Sequence, residues 1–141
     1  MKWWILFIGL MGVAIWDWYK KEIYLPVPAS LAVVGLFYAM GKGALGMKAA
    51  LLGILPGVVL LGISFVTGGE VGEGDGWLLA AMGIYMGPKL VFVLFLLSAF
   101  LIMLVGVGLL LCKKGKRKTR LPWAPFAWCA YVILWSGGIL V

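Results

Sequence analysis

The sequence predicts an all-α membrane protein: one domain over residues 1–141, folded as a six-helix transmembrane bundle with a short fourth helix and both termini on the extracytoplasmic side. Three observations carry this. Of 141 residues, 65% are hydrophobic and only 12% charged, where soluble domains average about 45–50% apolar and about 25% charged residues. The mean hydropathy is +1.12, and the apolar residues form long runs instead of alternating strands, which excludes an outer-membrane barrel. The Lys and Arg residues collect in the short links between runs, so the formal charge of +7 reports membrane orientation and not a nucleic-acid surface.

The first run, Trp3–Trp16, follows Met1-Lys2 and ends at Asp17, with Lys20-Lys21-Glu22 beyond. No small-residue cleavage site follows it, so it reads as a retained span and not a signal peptide. The second run covers roughly Ile23–Met40, with Pro26 and Pro28 at its start, where missing N–H groups cost little. Gly41-Lys42-Gly43 makes the turn into a third run near Ala49–Val66, and Pro56-Gly57 marks a kink within it. A glycine-rich link, Thr67–Gly74, carries Glu70 and Glu73. The fourth segment, Gly76–Gly87, is short and is stopped by Pro88-Lys89, while Leu90–Leu111 is the cleanest span. A basic link, Lys113–Arg120, and then Leu121-Pro122-Trp123-Ala124-Pro125-Phe126 lead into the last span, which runs to the C-terminus. The links at 68–74 and 113–120 are expected to be the mobile parts.

Orientation follows from the cations. Eight of them (Lys20, Lys21, Lys113, Lys114, Lys116, Arg117, Lys118, Arg120) lie in links one–two and five–six, against four (Lys2, Lys42, Lys48, Lys89) on the opposite side. The bias puts the first group in the cytosol and both termini outside.

The chain contains no histidine, which removes His-based triads and His-ligated zinc or haem. Cys112 and Cys129 are too few and too far apart for a zinc ribbon or a CxxC pair, and read as small apolar fillers. Ser30, Ser64, Ser98 and Ser136 have no base to activate them and read as packing hydroxyls. Glu70 and Glu73 with Asp75 supply too few oxygen ligands for a metal site, so neither metal nor cofactor is expected.

The chemistry concentrates on two aspartates. Asp75 stands in Gly72-Glu73-Gly74-Asp75-Gly76, at the mouth of the apolar run Trp77–Met82. A carboxylate there is costly and is a site candidate by default, and the flanking glycines allow close approach. Asp17, at the end of the first span, falls on the same side of the membrane, because spans one and four run antiparallel. The depths also agree: Trp3–Asp17 is about 21 Å of helix and Asp75–Gly87 about 18 Å, both about 10 Å short of crossing a core about 30 Å thick. Leu6, Leu10 and Val13 share the face of Asp17. Gly76, Ala80, Gly83 and Gly87 form one stripe suited to close helix contact. Two neighbouring carboxylates share one proton, and the pair can activate water against a carbonyl as aspartic proteases do. The same pair could instead serve a proton or cation relay, though a relay favours acids at successive depths.

Three ordered motifs resemble one family. Gly72-Glu73-Gly74-Asp75 and the residues after it resemble the GxGD segment of type IV prepilin leader peptidases, which are membrane aspartyl proteases. Asp17 followed six positions later by Ile23 is similar to the family's first motif, and Leu121–Phe126 is similar to its Ile-Pro-Phe-Gly-Pro-Phe element. Tyr24 stands where the first motif usually has Pro, and Trp77 follows where many members carry Lys nearby. The resemblance implies a peptidase of the bacterial cytoplasmic membrane that removes the basic leader of prepilin-like precursors at the cytosolic face. Asp17 and Asp75 would be catalytic, Gly72, Gly74 and Gly76 would govern substrate access, and Glu73, Ile23, Pro122 and Pro125 would be loop or substrate contacts. Larger members carry an inserted cytosolic domain with paired CxxC motifs, associated with methylation of the mature pilin. No CxxC occurs here, which implies a short, peptidase-only form.

Overall fold

The computed structural model describes residues 2–21, 23–68, 72–112 and 121–139. Among them every regular element is a helix: α1 (Lys2–Lys20), α2 (Pro26–Met40), α3 (Gly43–Val66), α4 (Glu73–Leu111) and α5 (Ala124–Ser136). Glu22, Glu70 and the Lys113–Arg120 link lie outside the described residues, as does the middle of the 68–74 link.

Boundaries shift outward where charged residues tolerate helical conformation. α1 keeps Asp17 inside the helix and ends at Lys20, after which Lys21 takes a φ of 54°. α3 begins at Gly43, six residues before the apolar run, and carries Lys48 within it, because a lysine stem can lie along the helix while its ammonium reaches water. α2 opens on Pro26 at its first helical position, the site proline tolerates best. α5 ends at Ser136, ahead of Gly138 at a φ of 71°, so the last helix stops before the C-terminal residues.

α4 differs most from the sequence expectation. It runs for 39 residues with no link between the fourth and fifth segments, and is broken only at Gly87 (φ 76°, ψ 174°) ahead of Pro88. The positive φ suits glycine, and the extended ψ is what a following proline imposes. A straight helix of that length would measure about 58 Å, nearly twice the hydrocarbon core. Contacts on either side of Gly87 show that the chain reverses there. In the first arm (73–86) Gly76 lies on Leu61 and Gly83 on Gly53, so this arm runs antiparallel to α3. In the second arm (88–111) Pro88, Phe92 and Phe95 line an apolar cavity of about 430 Å³ together with α3 residues from Leu52 to Ile63. Ser98, in the second arm, meets Trp123 at the start of α5. The neighbouring Ala124 N–H meets Asp17, whose charge acts on Asp75 at the start of the first arm. Ser98 and Asp75 are therefore at one end of the molecule, which a straight rod forbids.

The first arm is the centre of the structure: Leu78 through Met86 are all buried, on every face. Around it the other helices bury single stripes. On α1 these are Leu6, Leu10, Val13, Ala14 and Asp17; on α5 they are Ala124, Ala127, Ala130, Tyr131 and Leu134. On the second arm the stripe is Val91, Leu94 and Ser98. α1 and α5 are joined at the end far from Asp17 by edge-to-face rings, Trp4 against Trp135 at 4.9 Å and Phe7 against Trp135 at 5.4 Å, and the Tyr131 hydroxyl donates to the Trp3 carbonyl at 2.7 Å. The Tyr85 hydroxyl similarly ties the central arm to the Leu31 carbonyl of α2 at 2.8 Å.

The outward faces are apolar. α3 and α4 are long and apolar enough to cross a membrane, and only 22% and 17% of their most apolar stretches are buried. A helix in a soluble core would be mostly buried, so this surface calls for lipid. The protein is a helical membrane protein.

Three of the four small residues of the predicted stripe make helix contact. A Cβ on Gly83 would fall on the Gly53 backbone, one on Gly57 would meet Ala80, and one on Gly76 would lie 2.7 Å from the Leu61 side chain. Gly87 has open space beside it and serves the reversal instead. Gly83→Ala or Gly53→Ala should therefore push α3 off the central arm and destabilise the detergent-solubilised protein by about 1–3 kcal/mol. Gly62→Ala on the same helix α3, with nothing within 4 Å, should be neutral or slightly stabilising in the same thermal unfolding assay.

Candidate active site

Burying a carboxylate costs several kcal/mol unless something compensates it. Asp17 is only 3% exposed, one turn before the end of α1 on the stripe that faces the bundle. Its compensation comes from the far end of the chain: the Ala124 backbone N–H donates to Asp17 Oδ2 at 2.9 Å. Ala124 is the first residue of α5, where backbone donors lack intrahelical partners and the helix dipole favours negative charge. The local sequence leaves that donor available. Pro125 has no N–H, and the Phe126 and Ala127 N–H groups both bond the Trp123 carbonyl at 3.0 Å. Ala124 thus carries the free donor of the turn.

Asp75 occupies the first turn of α4, two residues after Glu73. Its own N–H donates to the Gly72 carbonyl at 3.1 Å, closing the turn that starts the helix. Asp75 is half-buried where Asp17 is sealed, and the Asp17 charge reaches it. The two aspartates singled out in the sequence are therefore within electrostatic range of each other, one near the end of α1 and one in the first turn of α4.

Each glycine around Asp75 has a distinct neighbour. Gly72 lies under the Asp75 carboxylate, where a Cβ would be 3.0 Å from Oδ2. Gly74 lies against Ile23, whose Cβ would be 2.6 Å from a Cβ added there. Gly76 lies against Leu61 of α3. Ile23 is thus the point where the link after Asp17 rests on the segment that carries Asp75, which accounts for an isoleucine six positions after the first aspartate. Glu73 is exposed at the helix start. Pro125 stands at the second position of α5, and Pro122 in the non-helical approach to it. Pro125 also lines an apolar groove of about 580 Å³ between α1 and α5, with Ile15, Trp18, Tyr19, Trp128 and Cys129.

Sequence reasoning missed the Ala124 N–H, since any residue carries such a donor. The two prolines flanking Trp123-Ala124 were the signal that could have found it, because that spacing marks a helix start with few free donors.

A model of the type IV leader peptidase family matches residues 4–107 of the chain. Among curated proteins, the prepilin leader peptidase/N-methyltransferase of Aeromonas hydrophila is 29% identical over 115 residues, covering 74% of this chain and 39% of that protein. The protein of the same name from Aeromonas salmonicida (strain A449) gives the same identity and coverage. The chain thus spans about two fifths of the length of these relatives. No solved structure matches it.

The contact between Ile23 and Gly74 is open to a direct check. With Cys112 and Cys129 replaced by Ser, the pair Ile23→Cys and Gly74→Cys should form a disulfide under mild oxidation once the two segments part by about 1 Å, since a Cβ on Gly74 would lie 2.6 Å from that of Ile23 and a bridge spans about 3.5–4.5 Å. Gly74→Cys paired with Gly12→Cys, which has open surroundings on α1, should not, as read by mobility on a non-reducing gel.

Proposed function

This chain belongs to the type IV leader peptidase family, and from that premise we propose that it is a membrane aspartic endopeptidase that cleaves the leader from type IV prepilin-like precursors. What supports this reading is that Asp17 and Asp75, each on a different helix of a largely apolar protein, lie within electrostatic range of each other. Two carboxylates in each other's field hold one proton between them more readily than two charges. The ionised member takes a proton from water as the oxygen attacks the scissile carbonyl, and the protonated member donates to the carbonyl oxygen. The tetrahedral intermediate then collapses with a proton passed to the leaving amine. The Asp17–Ala124 bond supports a division of labour in which Asp17 is the fixed partner, and peptide and water enter from the half-exposed Asp75 side.

In this reading the two arms of α4 are separate crossings, giving six spans in the bacterial cytoplasmic membrane, multi-pass, with both termini outside. The aspartates face the cytosol. The cationic links one–two and five–six support that orientation, because both adjoin the helix ends that carry the site. The partner is a prepilin-like precursor, whose basic leader would meet the polar end of the bundle while Gly72 and Gly74 leave room beside Asp75 for an extended backbone.

Co-expression with a candidate prepilin from the same genome tests this. The parent should convert precursor to mature product, and Asp17→Asn and Asp75→Asn should each slow conversion by about a hundredfold or more, without loss of membrane-inserted protein. A parent that leaves every candidate precursor uncut, or an Asn variant that cleaves as fast as the parent, would sink the proposal.

A further inference from the structure

The start of α5 is held in place by a contact that no part of the two-aspartate scheme uses. The Trp123 side chain is 8% exposed and its indole Nε1–H donates to the Ser98 Oγ at 3.1 Å. Ser98 is fully buried, and its own hydroxyl donates to the Phe95 carbonyl at 2.8 Å. That bond fixes the hydroxyl so that a lone pair is left for the indole. The Trp123 ring also lies 6.4 Å from the Phe95 ring at 55°. The residue that caps α5 is therefore fastened to the second arm of α4 by a hydrogen bond and a ring contact, and the next residue presents its N–H to Asp17.

We propose that Trp123, through Ser98, is a positioning residue for Asp17: the indole–hydroxyl bond sets the height and rotation of α5 so that the Ala124 N–H meets Asp17 Oδ2. The geometry leaves few alternatives for that task. Trp123 is the residue before Ala124, so a shift of the Trp123 backbone is passed to the Ala124 N–H across one rigid peptide plane. Pro125 supplies no second donor that could take over. With Oδ2 engaged by the Ala124 N–H, the Asp17 carboxylate is held in one rotation, so the bond sets how its oxygens are presented. A carboxylate turned about its own bond by a loosened α5 would present them differently. The latch also joins three parts of the chain far apart in sequence, with separations of 25 and 107 residues across its two bonds. Its catalytic consequence rests on the peptidase reading; its structural content does not.

The test uses the full chain in lipid vesicles with a cleavable precursor, and compares Trp123→Phe, Ser98→Ala and the double variant. Each single variant should lower kcat by about ten- to a hundredfold while KM stays within about twofold, and the double variant should be no slower than the worse single one. Stability should follow a different order. Ser98→Ala orphans a buried indole N–H and should melt lowest, and adding Trp123→Phe should recover part of that loss. In isotope-labelled protein, the Ala124 amide should exchange at least about tenfold faster in both single variants than in the parent. Unchanged kcat in either single variant, additive losses in the double, or a loss confined to KM would overturn the proposal. So would Ala124 exchange at the parent's rate. If the parent cleaves no precursor, the peptidase reading falls by itself, and Ala124 exchange decides whether the latch exists.

Discussion

A carboxylate buried in an apolar bundle constrains everything around it, and here that carboxylate is Asp17. A hydrogen bond to a charged group contributes about 1.5–3 kcal/mol, while removing a carboxylate from water costs several. One backbone N–H therefore cannot offset a lone ionised Asp17. The neighbouring group whose charge interacts with it is Asp75, a second carboxylate, which repels a charge on Asp17 and relieves the cost only when the pair holds a proton between them. The start of α5, the end of α1 and the start of α4 are consequently bound to one place. The helices between them need only be long enough to return the chain there.

That return depends on two uses of glycine that oppose each other in character. At Gly53, Gly57 and Gly83 the missing side chain lets α3 touch the central arm backbone to backbone, which suits lipid, where apolar burial gives helices little reason to associate. At Gly87 the requirement is conformational, since a φ of 76° before a proline has open space around it but is strained for any other residue. The first use fixes the depth of Asp75 against α3. The second sends the chain back, so that Ser98 arrives beside α5. Without the reversal, Trp123 would have no buried partner.

Much of this was legible from residue types. Charges are scarce in the chain, so Asp17 and Asp75 stood out, and antiparallel spans of similar length put them at one end. The stripe Gly76, Ala80, Gly83 announced a close contact but not its partner, because small residues say that something approaches and not what. Gly87-Pro88 was visible as punctuation and read as the end of a helix; the structure resumes helix at once, since proline is well suited to a first helical turn. The early start of α3 was hidden because Lys48 looked like a link residue. The Ala124 donor was hidden for a deeper reason. A backbone N–H leaves no mark in sequence, and its importance comes only from a carboxylate 107 positions away.

The two aspartates are thus supported unequally, and the inequality has a physical origin. Asp17 sits at the end of the buried stripe of α1, sealed, with one oxygen tied to a helix N-terminus that is itself anchored at Trp123. Asp75 sits in a first turn between glycines, half-exposed, with Gly72 pressed beneath its carboxylate and Gly74 seated on Ile23. A rigid acid beside an accessible one is what a site needs if it must keep its geometry while admitting a peptide. Anchoring both would close the entrance, and freeing both would lose the alignment that water activation requires. Gly72 then does more than pack helices: any side chain there would crowd the half-exposed carboxylate of Asp75, 3.0 Å from its Oδ2.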